Sequence, residues 1–189
     1  MAPRSPNFYA QPVDNVAQGL IGITLTVDGV GGIIVETEAY DAADPASHSF
    51  AGRTARNAAM FGPVGHAYVY RIYGLHHCLN IVCGTLGSAV LIRAIEPQHG
   101  VDSMLVRRGI ARPIRELCAG PGRLCAALGI DMALDGASLD RPPFLLDDIG
   151  TMPDLVTGPR IGITKAADRP RRFGLRGSPW LSRPFSGSD

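Results

Sequence analysis

Long hydrophobic runs are missing from this sequence. No uninterrupted apolar stretch approaches the about 18 residues that a membrane-spanning helix needs. The opening residues, MAPRSPNFYAQPV, contain no apolar core of the kind that a signal peptide carries. We therefore expect neither a membrane span nor secretion, and we predict a cytoplasmic protein.

Paired cysteine motifs and nucleotide-binding motifs are absent as well. The four cysteines form no C-x-x-C pair, which predicts reduced thiols rather than a disulfide framework. No GxSxG, GxxxxGK[ST] or GxGxxG motif occurs, nor the HxE and PCxxC pair of a zinc deaminase. His76 and His77 are adjacent, so on a strand they point to opposite faces and do not share an ion. We predict no metal site and no cofactor.

Lysine is nearly absent. Lys165 is the only lysine among 18 basic residues, and the formal net charge is only +1. The basic residues nevertheless cluster in two stretches, 107–123 and 165–183, and an acidic stretch covers residues 131–154. Two interpretations stay open here: the basic stretches meet phosphates, or they form the solvated surface of an arginine-rich chain.

The distribution of apolar residues predicts one domain over residues 1–189. Hydrophobic residues make up 46% of the chain, enough for one buried core, and no linker or repeat divides it. Strand patterns occupy residues 20–27 and 33–40, joined by the turn DGVGG, whose loop we expect to be slightly longer than the tightest type.

Further elements follow along the chain. Short strands are predicted in HAYVYRIYG, LNIVCG and AVLIRAIEP, and helices between residues 101 and 129. Residues 139–159 are expected to form a loop, and RIGIT and RFGLRGSPW are expected to form strands. This order predicts an α+β fold with a mainly antiparallel β-sheet.

The segment VETEAY carries two glutamates. Alternation places Glu36 and Glu38 on one side of the strand, opposite Val35, Thr37 and Ala39. Glu36 is expected to face solvent, the commoner case for such carboxylates. Glu38 stands where the strand opens into the polar loop DAADPASHSFAGRTARN, a frequent position for a working residue. We therefore single out Glu38 as a candidate catalytic group.

The same loop carries a cluster of polar and basic side chains: His48, Arg53, Thr54, Arg56 and Asn57. Arginines separated by small and polar residues suit phosphate contacts through side chains and backbone N–H groups. An ordinary surface loop has a similar composition, so both interpretations stay open.

Residues 65–80, GHAYVYRIYGLHHCLN, are rich in rings. Tyr68 and Tyr70 alternate onto one strand face, and Tyr73 stands beside Gly74, where a turn can project it into solvent. Exposed aromatic side chains stack on nucleic-acid bases, whereas most tyrosines fill the core or its rim. A glutamate, stacking rings and arginines, without a metal, suit an enzyme that handles a base outside its stack.

Six blocks of the chain, in order, resemble a known family. They are VETEAY (35–40), HSFAGRTARN (48–57), MFGPVGHAYVYRIYGLHHCLNIVC (60–83), VLIRAIEP (90–97), GPGRLC (120–125) and LRGSPW (175–180). The resemblance is to the 3-methyladenine DNA glycosylases of the alkyladenine glycosylase type. It implies a single compact α+β domain with a curved, mainly antiparallel β-sheet and flanking helices. It also implies hydrolysis of the N-glycosyl bond of alkylated or otherwise damaged purines in duplex DNA.

The resemblance implies roles for individual residues. Glu38 matches the family's general base, which deprotonates the water that attacks C1′, and Arg93 matches an arginine near that glutamate and water. Tyr73 matches the wedge that enters the duplex where the base has left. The loop residues expected to contact DNA are Arg53, Thr54, Arg56 and Asn57.

Four more residues match the pocket that holds the flipped base. Tyr40 and His48 match residues on one face of the base, and Tyr70 matches the ring on its other face. Asn80 matches a residue at the pocket floor that disfavours the exocyclic amino group of guanine.

Some positions receive no such role. Tyr68 is expected to pack structurally, and His76 and His77 stand where the family varies. The loop between Tyr40 and His48 is short, which predicts an altered closure of the pocket and an altered range of lesions.

The implied partner is double-stranded DNA that contains damaged purines, with no obligate protein partner and no membrane. We expect a monomer that is nucleoid-associated if the source is a bacterium. Because Lys165 lies outside the matched motifs, the amine that a strand-cleaving glycosylase needs for its Schiff base is missing from them, which predicts a monofunctional hydrolase. The alternative is a non-catalytic nucleic-acid-binding module with the same stacking surface, which would not require Glu38.

Overall fold

The computed structural model describes residues 6–147 and 153–185. Within these ranges the α-helices are α1 (Pro6–Tyr9), α2 (Val13–Gly19), α3 (Val101–Arg108) and α4 (Pro121–Leu128). The strands are β1 (Thr24–Val27), β2 (Val30–Tyr40), β3 (Ala67–Ile72), β4 (His76–Val82), β5 (Ala89–His99), β6 (Phe144–Asp147), β7 (Leu155–Gly158) and β8 (Arg172–Leu175). Two sets of residues used in the sequence analysis lie outside the described ranges. They are residues 1–5, from the opening segment that lacks a signal-peptide core, and Asp148, from the acidic stretch.

All eight strands belong to one antiparallel sheet, whose main path is β3-β4-β5-β2-β1-β6. One edge of β2 pairs with β5, while the other edge pairs first with β1 and then, at residues 36–38, with β8. Register shifts on both sides of Glu36 bend β2 at this point. The strand that carries the two glutamates is thus enclosed on both edges. The predicted α+β class, with a curved, mainly antiparallel sheet and flanking helices, is confirmed.

The β1–β2 hairpin has the tightest kind of turn. Asp28 and Gly29 form a two-residue loop with φ angles of 48° and 75°, the left-handed geometry of a type I′ turn, which Asp-Gly sequences favour. The expectation of a longer loop is therefore wrong. Gly31 and Gly32, which suggested a longer loop, belong to β2. Glycine is required at both positions because neighbouring backbone atoms leave no room for a Cβ.

Helix α2 packs on the side of β2 opposite the glutamates. Val16 and Ala17 are buried there, and the Thr37 hydroxyl donates a hydrogen bond to the Ala17 carbonyl at 2.8 Å. The predicted helices between residues 101 and 129 are confirmed as α3 and α4, which pack together, with α4 lying on β4. The strand alternation thus assigned the apolar side of β2 correctly, with Thr37 facing the helix.

Three stretches differ from their predicted structure. Residues 139–159, expected as a loop, contain β6 and β7; Phe144 and Leu146 of β6 alternate into the core beside β1, a pattern that the surrounding prolines and aspartates concealed. Residues 20–23, expected as strand, form the turn that leaves α2. RIGIT is not a strand, because the Ile161 N–H donates to the Glu38 carboxylate instead of to a neighbouring strand.

The four cysteines, at positions 78, 83, 118 and 125, are buried and not in disulfides. None of the helices in the described ranges is long and apolar enough to cross a membrane. Among the same residues, no group of three or more His, Cys, Asp or Glu side chains is arranged to hold a metal ion.

The glycine at position 31 generates a test of the hairpin. A Cβ on Gly31 would lie 1.9 Å from the Leu25 carbonyl oxygen, a backbone atom that moves only if the hairpin opens. We expect Gly31→Ala to lower the free energy of unfolding by about 3 kcal/mol or more, the upper range for overpacking. Gly62→Ala is the control, since its Cβ would lie 3.1 Å from the nearest atom at an ordinary negative φ. Urea unfolding measures both, and equal losses would contradict the close approach.

Candidate active site

A cavity of about 440 Å³ lies over one face of β2 to β5. Residues 46–48, the start of α4 and residues 161–163 enclose its sides. Six of the sequence-predicted site residues line it: Tyr40, His48, Tyr70, Tyr73, Asn80 and Arg93. The fold therefore brings together side chains that are as far apart in the chain as Tyr40 and Arg93.

Glu38 lies beneath this cavity and is fully buried. The Tyr40 hydroxyl donates to its Oε2 at 2.7 Å, and the Ile161 N–H donates to its Oε1 at 2.8 Å. Nη1 of Arg93 lies 3.4 Å from the same Oε1. Three groups from cavity-lining residues thus satisfy the buried carboxylate and hold it in place.

Arg93 bridges two buried glutamates. Its Nε lies 3.3 Å from Oε1 of Glu36, while its Nη1 reaches Glu38. Glu36 also accepts hydrogen bonds from Arg172 Nε at 2.7 Å and from the Ser182 hydroxyl at 2.9 Å. The expectation that Glu36 faces solvent is therefore wrong. The side of β2 that carries both glutamates is covered by groups from the C-terminal part of the chain.

Tyr68, Tyr70 and His48 form one wall of the cavity. The Tyr68 hydroxyl and Nδ1 of His48 are hydrogen-bonded at 2.9 Å, and the His48 ring meets Tyr70 edge-on, with 4.5 Å between centroids. Tyr68 is buried, as a packing role requires, yet it also lines the cavity. Burial, assisted by the positive charge of Arg56, lowers the pKa of His48, which favours the neutral imidazole.

Two cavity tyrosines are kept as neutral phenols. Burial, followed by the negative charge of Glu38, raises the pKa of Tyr40 well above its ordinary value. Burial, followed by the neighbouring Cys78 thiol, does the same for the pKa of Tyr70. Tyr40 therefore remains a hydrogen-bond donor to Glu38, and both rings offer uncharged faces.

The remaining predicted pocket residue, Asn80, is buried on β4. Its side-chain N–H donates to the Tyr68 carbonyl at 3.1 Å, which sets the orientation of the amide. Cys78 and His76 of the same strand also line the cavity. The position of His76 in the cavity lining is not among the predictions, although period-two alternation from Asn80 through Cys78 puts it on the same face of the strand.

Tyr73 occupies the tip of the β3–β4 hairpin at the cavity mouth. Its side chain is 86% exposed, and its φ is 52°, a value that tyrosine rarely adopts. The following Gly74 also has a positive φ, of 70°. This turn, in which two successive residues have left-handed backbone, directs a large ring into solvent beside a buried site.

The loop at residues 53–57 contains one buried side chain, that of Asn57, and exposed polar side chains. The Asn57 side chain accepts from the Thr54 N–H at 2.6 Å and donates to the carbonyl oxygens of His48 and Gly52. Arg53, Thr54 and Arg56 are exposed. Of the four residues in this loop that are predicted to contact DNA, three are therefore accessible, and the buried Asn57 holds the loop in shape.

The second basic stretch, residues 165–183, is partly used inside the protein. Arg171 pairs with Asp14 and with Asp41 at 2.7 Å each, and Arg172 is buried against Glu36. These two guanidinium groups are held by carboxylates. Arg171 and Arg172 therefore fit neither interpretation of the basic stretch: they serve neither as phosphate contacts nor as a solvated surface.

An ion pair below the cavity had no signal in the sequence. Arg160 and Asp44 are both buried and bonded to each other, although 116 positions separate them. In the sequence, Asp44 is one of several polar residues of a loop, and Arg160 belongs to a predicted strand. Only the fold brings the two segments together.

Comparison with known proteins agrees with this geometry. The family model described as Methylpurine-DNA glycosylase (MPG) matches residues 7–179. Proteins named "Putative 3-methyladenine DNA glycosylase" from Rhodopseudomonas palustris (strain HaA2) and Nitrosospira multiformis are each 59% identical to this chain; the alignments cover 97% and 100% of it, and 92% and 98% of the relatives. A protein of the same name from Rhizobium meliloti is 59% identical over 95% of this chain and 96% of its own length.

The family match over residues 7–179, together with relatives 59% identical over nearly the whole chain, shows that this protein is a DNA glycosylase. Such a protein is a DNA-repair hydrolase that acts on N-glycosyl bonds in damaged DNA. More narrowly, the chain belongs to the methylpurine-DNA glycosylase family.

The buried imidazole generates a pH-dependence test. Because the folded pKa of His48 lies below the about 6.5 of an unfolded histidine, the unfolded chain binds the proton more readily. The free energy of unfolding therefore falls as the pH drops below about 6.5 toward the folded pKa. We expect the stability lost between about pH 7.5 and about pH 5.5, measured by urea unfolding, to be smaller for His48→Gln than for the wild type. Equal losses would contradict the lowered pKa.

Proposed function

We propose that this protein is a monofunctional glycosylase that flips an alkylated or otherwise damaged purine of the 3-methyladenine class out of duplex DNA. It then hydrolyses the N-glycosyl bond with a water activated by Glu38, which begins base excision repair. The observation that carries the proposal is the buried Glu38 carboxylate, held by three groups directly beneath a ring-lined cavity.

The cavity wall suits a flat, electron-poor guest. Tyr40, Tyr70 and His48 contribute ring surfaces, and all three favour their uncharged forms. A purine alkylated at N3 or N7 is cationic, so stacking on these rings gains a cation–π attraction that a normal base lacks. The names of the relatives specify 3-methyladenine, which has this charge while attached to the sugar.

The hydrolytic step needs few groups. The oxygen of a water held between Glu38 and the sugar attacks C1′, and Glu38 accepts the proton from that water. The bonding electrons of the breaking C1′–N bond pass to the purine, which leaves as a neutral base if it was cationic. Arg93 positions Glu38 from the cavity side. A neutral lesion would additionally require protonation of the leaving base.

Extrusion of the base is assigned to the exposed groups at the rim. The exposed Tyr73 ring fills the gap that a flipped nucleotide leaves in the duplex. Flipping the base costs a few kcal/mol, and this cost is smaller for a damaged, weakly paired base. Arg53, Thr54 and Arg56, exposed on the neighbouring loop, are placed to contact phosphates. We expect the protein to act on duplex DNA as a monomer.

The single lysine supports hydrolysis without strand cleavage. Lys165 is exposed and is not among the residues that line the cavity. A glycosylase that also cuts the strand forms a Schiff base between an amine and C1′. With no lysine in the cavity wall, water is the nucleophile that the site favours.

Substitution of Glu38 separates binding from chemistry. We expect Glu38→Gln to lower the single-turnover rate of base release by at least about 10²-fold, because an amide cannot accept the proton of the attacking water. Lesion-duplex affinity should be retained, since Gln keeps the shape of the side chain. Glu96→Gln, the same change on β5 outside the cavity lining, is the control. Mass spectrometry of bases released from duplexes with single defined lesions measures the rate.

Release of 3-methyladenine by Glu38→Gln at the wild-type rate would exclude the proposed mechanism. If the wild type binds lesion duplexes but releases no base from any of them, the result would instead favour the non-catalytic nucleic-acid-binding module.

Substitution of Tyr73 tests the wedge. We expect Tyr73→Ala to weaken binding of lesion duplex by about 1–3 kcal/mol, the usual loss for one stacked aromatic side chain, while the thermal unfolding midpoint stays unchanged because the ring is exposed. Leu145→Ala on β6, the edge strand at the opposite end of the sheet's main path, is a matched truncation of an exposed apolar side chain. Unchanged flipping, followed with a fluorescent base analogue, would exclude the wedge role.

A further inference from the structure

Arg160 is a buried arginine directly beneath the cavity, in the segment between β7 and β8. Its Nη1 donates to the Ala39 carbonyl at 3.0 Å and is bonded to Asp44, and its Nη2 donates to Asp44 Oδ1 at 3.1 Å and to the Ala166 carbonyl at 3.3 Å. One guanidinium group therefore ties together three segments of the chain.

The same guanidinium lies against the Tyr40 ring. Its central carbon is 4.6 Å from the ring centroid. Tyr40 lines the cavity, whereas Arg160 is not part of the lining. Arg160 therefore supports the ring from outside the cavity, and because it also holds the carbonyl of Ala39, the residue between Glu38 and Tyr40, it fixes the plane of the ring.

The residue after Arg160 contacts the catalytic carboxylate. The Ile161 N–H donates to Oε1 of Glu38 at 2.8 Å. The direction of this N–H depends on the peptide that joins residues 160 and 161, and the Arg160 side chain is anchored at both of its terminal nitrogens. Displacement of Arg160 would thus alter the ring and the hydrogen bond to Glu38 together.

Asp44 links this support to a second segment of the cavity lining, residues 46–48. It is buried in the 41–47 loop, and its Oδ1 accepts from the Ala46 N–H at 3.0 Å. Burial alone would raise the pKa of Asp44, but the hydrogen bonds from Arg160 and Ala46 outweigh it and hold the pKa below its ordinary value. The loop continues into Ala46, Ser47 and His48, which line the cavity, as residues 161–163 do.

We propose that Arg160, locked by Asp44, is a positioning residue for base excision: it holds the Tyr40 ring, the Ile161 N–H and the 46–48 wall at the spacing that hydrolysis by Glu38 requires. The inference rests on the proposed function of Glu38. Lysine could not replace the arginine, because an ammonium group lacks the planar fork that bonds Asp44, Ala39 and Ala166 at once while its central carbon lies over the Tyr40 ring.

The test is Arg160→Lys, which keeps the charge beside Asp44. We expect its single-turnover excision rate to fall on the order of tenfold to a hundredfold, as small misplacements in a catalytic site do. The dissociation constant for lesion duplex, measured in the Glu38→Gln background so that no base is released, should stay within about threefold. The lesion is one that the wild type is first shown to excise. Arg107→Lys is the control, because Arg107 also donates to a carbonyl, that of Ala127, but lies outside the cavity.

A double-mutant cycle distinguishes positioning from general stabilisation. Tyr40→Phe removes the hydroxyl that donates to Glu38. If Arg160 acts through Tyr40 and Glu38, the combined loss in rate for Arg160→Lys with Tyr40→Phe is smaller than the product of the single losses. Arg107→Lys with Tyr40→Phe should give the product. All rates are measured at a temperature at which each variant is fully folded.

Two results would overturn the inference: a folded Arg160→Lys with the wild-type rate, or a loss that multiplies fully with that of Tyr40→Phe. If Arg160→Lys shows no cooperative unfolding transition, Asp44→Asn replaces it, with the same expected loss and the same cycle, and a wild-type rate in that variant overturns the inference. An inactive Glu38→Gln beside a fully active Arg160→Lys would remove this inference and leave the proposed function intact. An active Glu38→Gln would remove the proposed function itself.

Discussion

The site depends on one arginine placed between two buried glutamates. Taking ions out of water costs several kcal/mol each unless partners are in place, and Arg93 faces Glu36 and Glu38 at once. Arg93 comes from β5 and the glutamates from β2, so pairing of these strands delivers the charges to each other. Arg172, from β8 on the other edge of β2, completes the set around Glu36. The charges of the two glutamates are therefore balanced only because β5 and β8, which carry the arginines, both pair with β2.

The floor of the cavity and the tip of the β3–β4 hairpin are built in different ways. The floor lies on β2, which is paired on both edges and bent by register shifts at Glu36. The tip is Tyr73, at a hairpin turn whose backbone adopts a conformation disfavoured for a tyrosine. The buried glutamates of β2 are thus held by a strand that is paired on both edges, whereas the Tyr73 ring extends into solvent.

The use of arginine follows from the same geometry. Arg93, Arg160 and Arg171 each contact at least two acceptors, and Arg160 also lies on a ring. A planar guanidinium can do this, whereas an ammonium group acts as a compact point charge. In these positions the scarcity of lysine has a structural cause. Arg53 and Arg56 of the 53–57 loop, in contrast, are exposed.

Local patterns were enough to predict several features of this protein: the alternation that puts Glu36 and Glu38 on one side of a strand, the two helices after residue 100 and the antiparallel α+β class. Alternation tells which side a residue faces, but not what covers that side. Glu36 is buried only because Arg172 and Ser182 arrive from 136 and 146 positions away. The contacts of Glu38 with Ile161 and of Asp44 with Arg160 span comparable separations. These contacts were decided by the tertiary structure, since no local pattern records which distant segment will close over a strand.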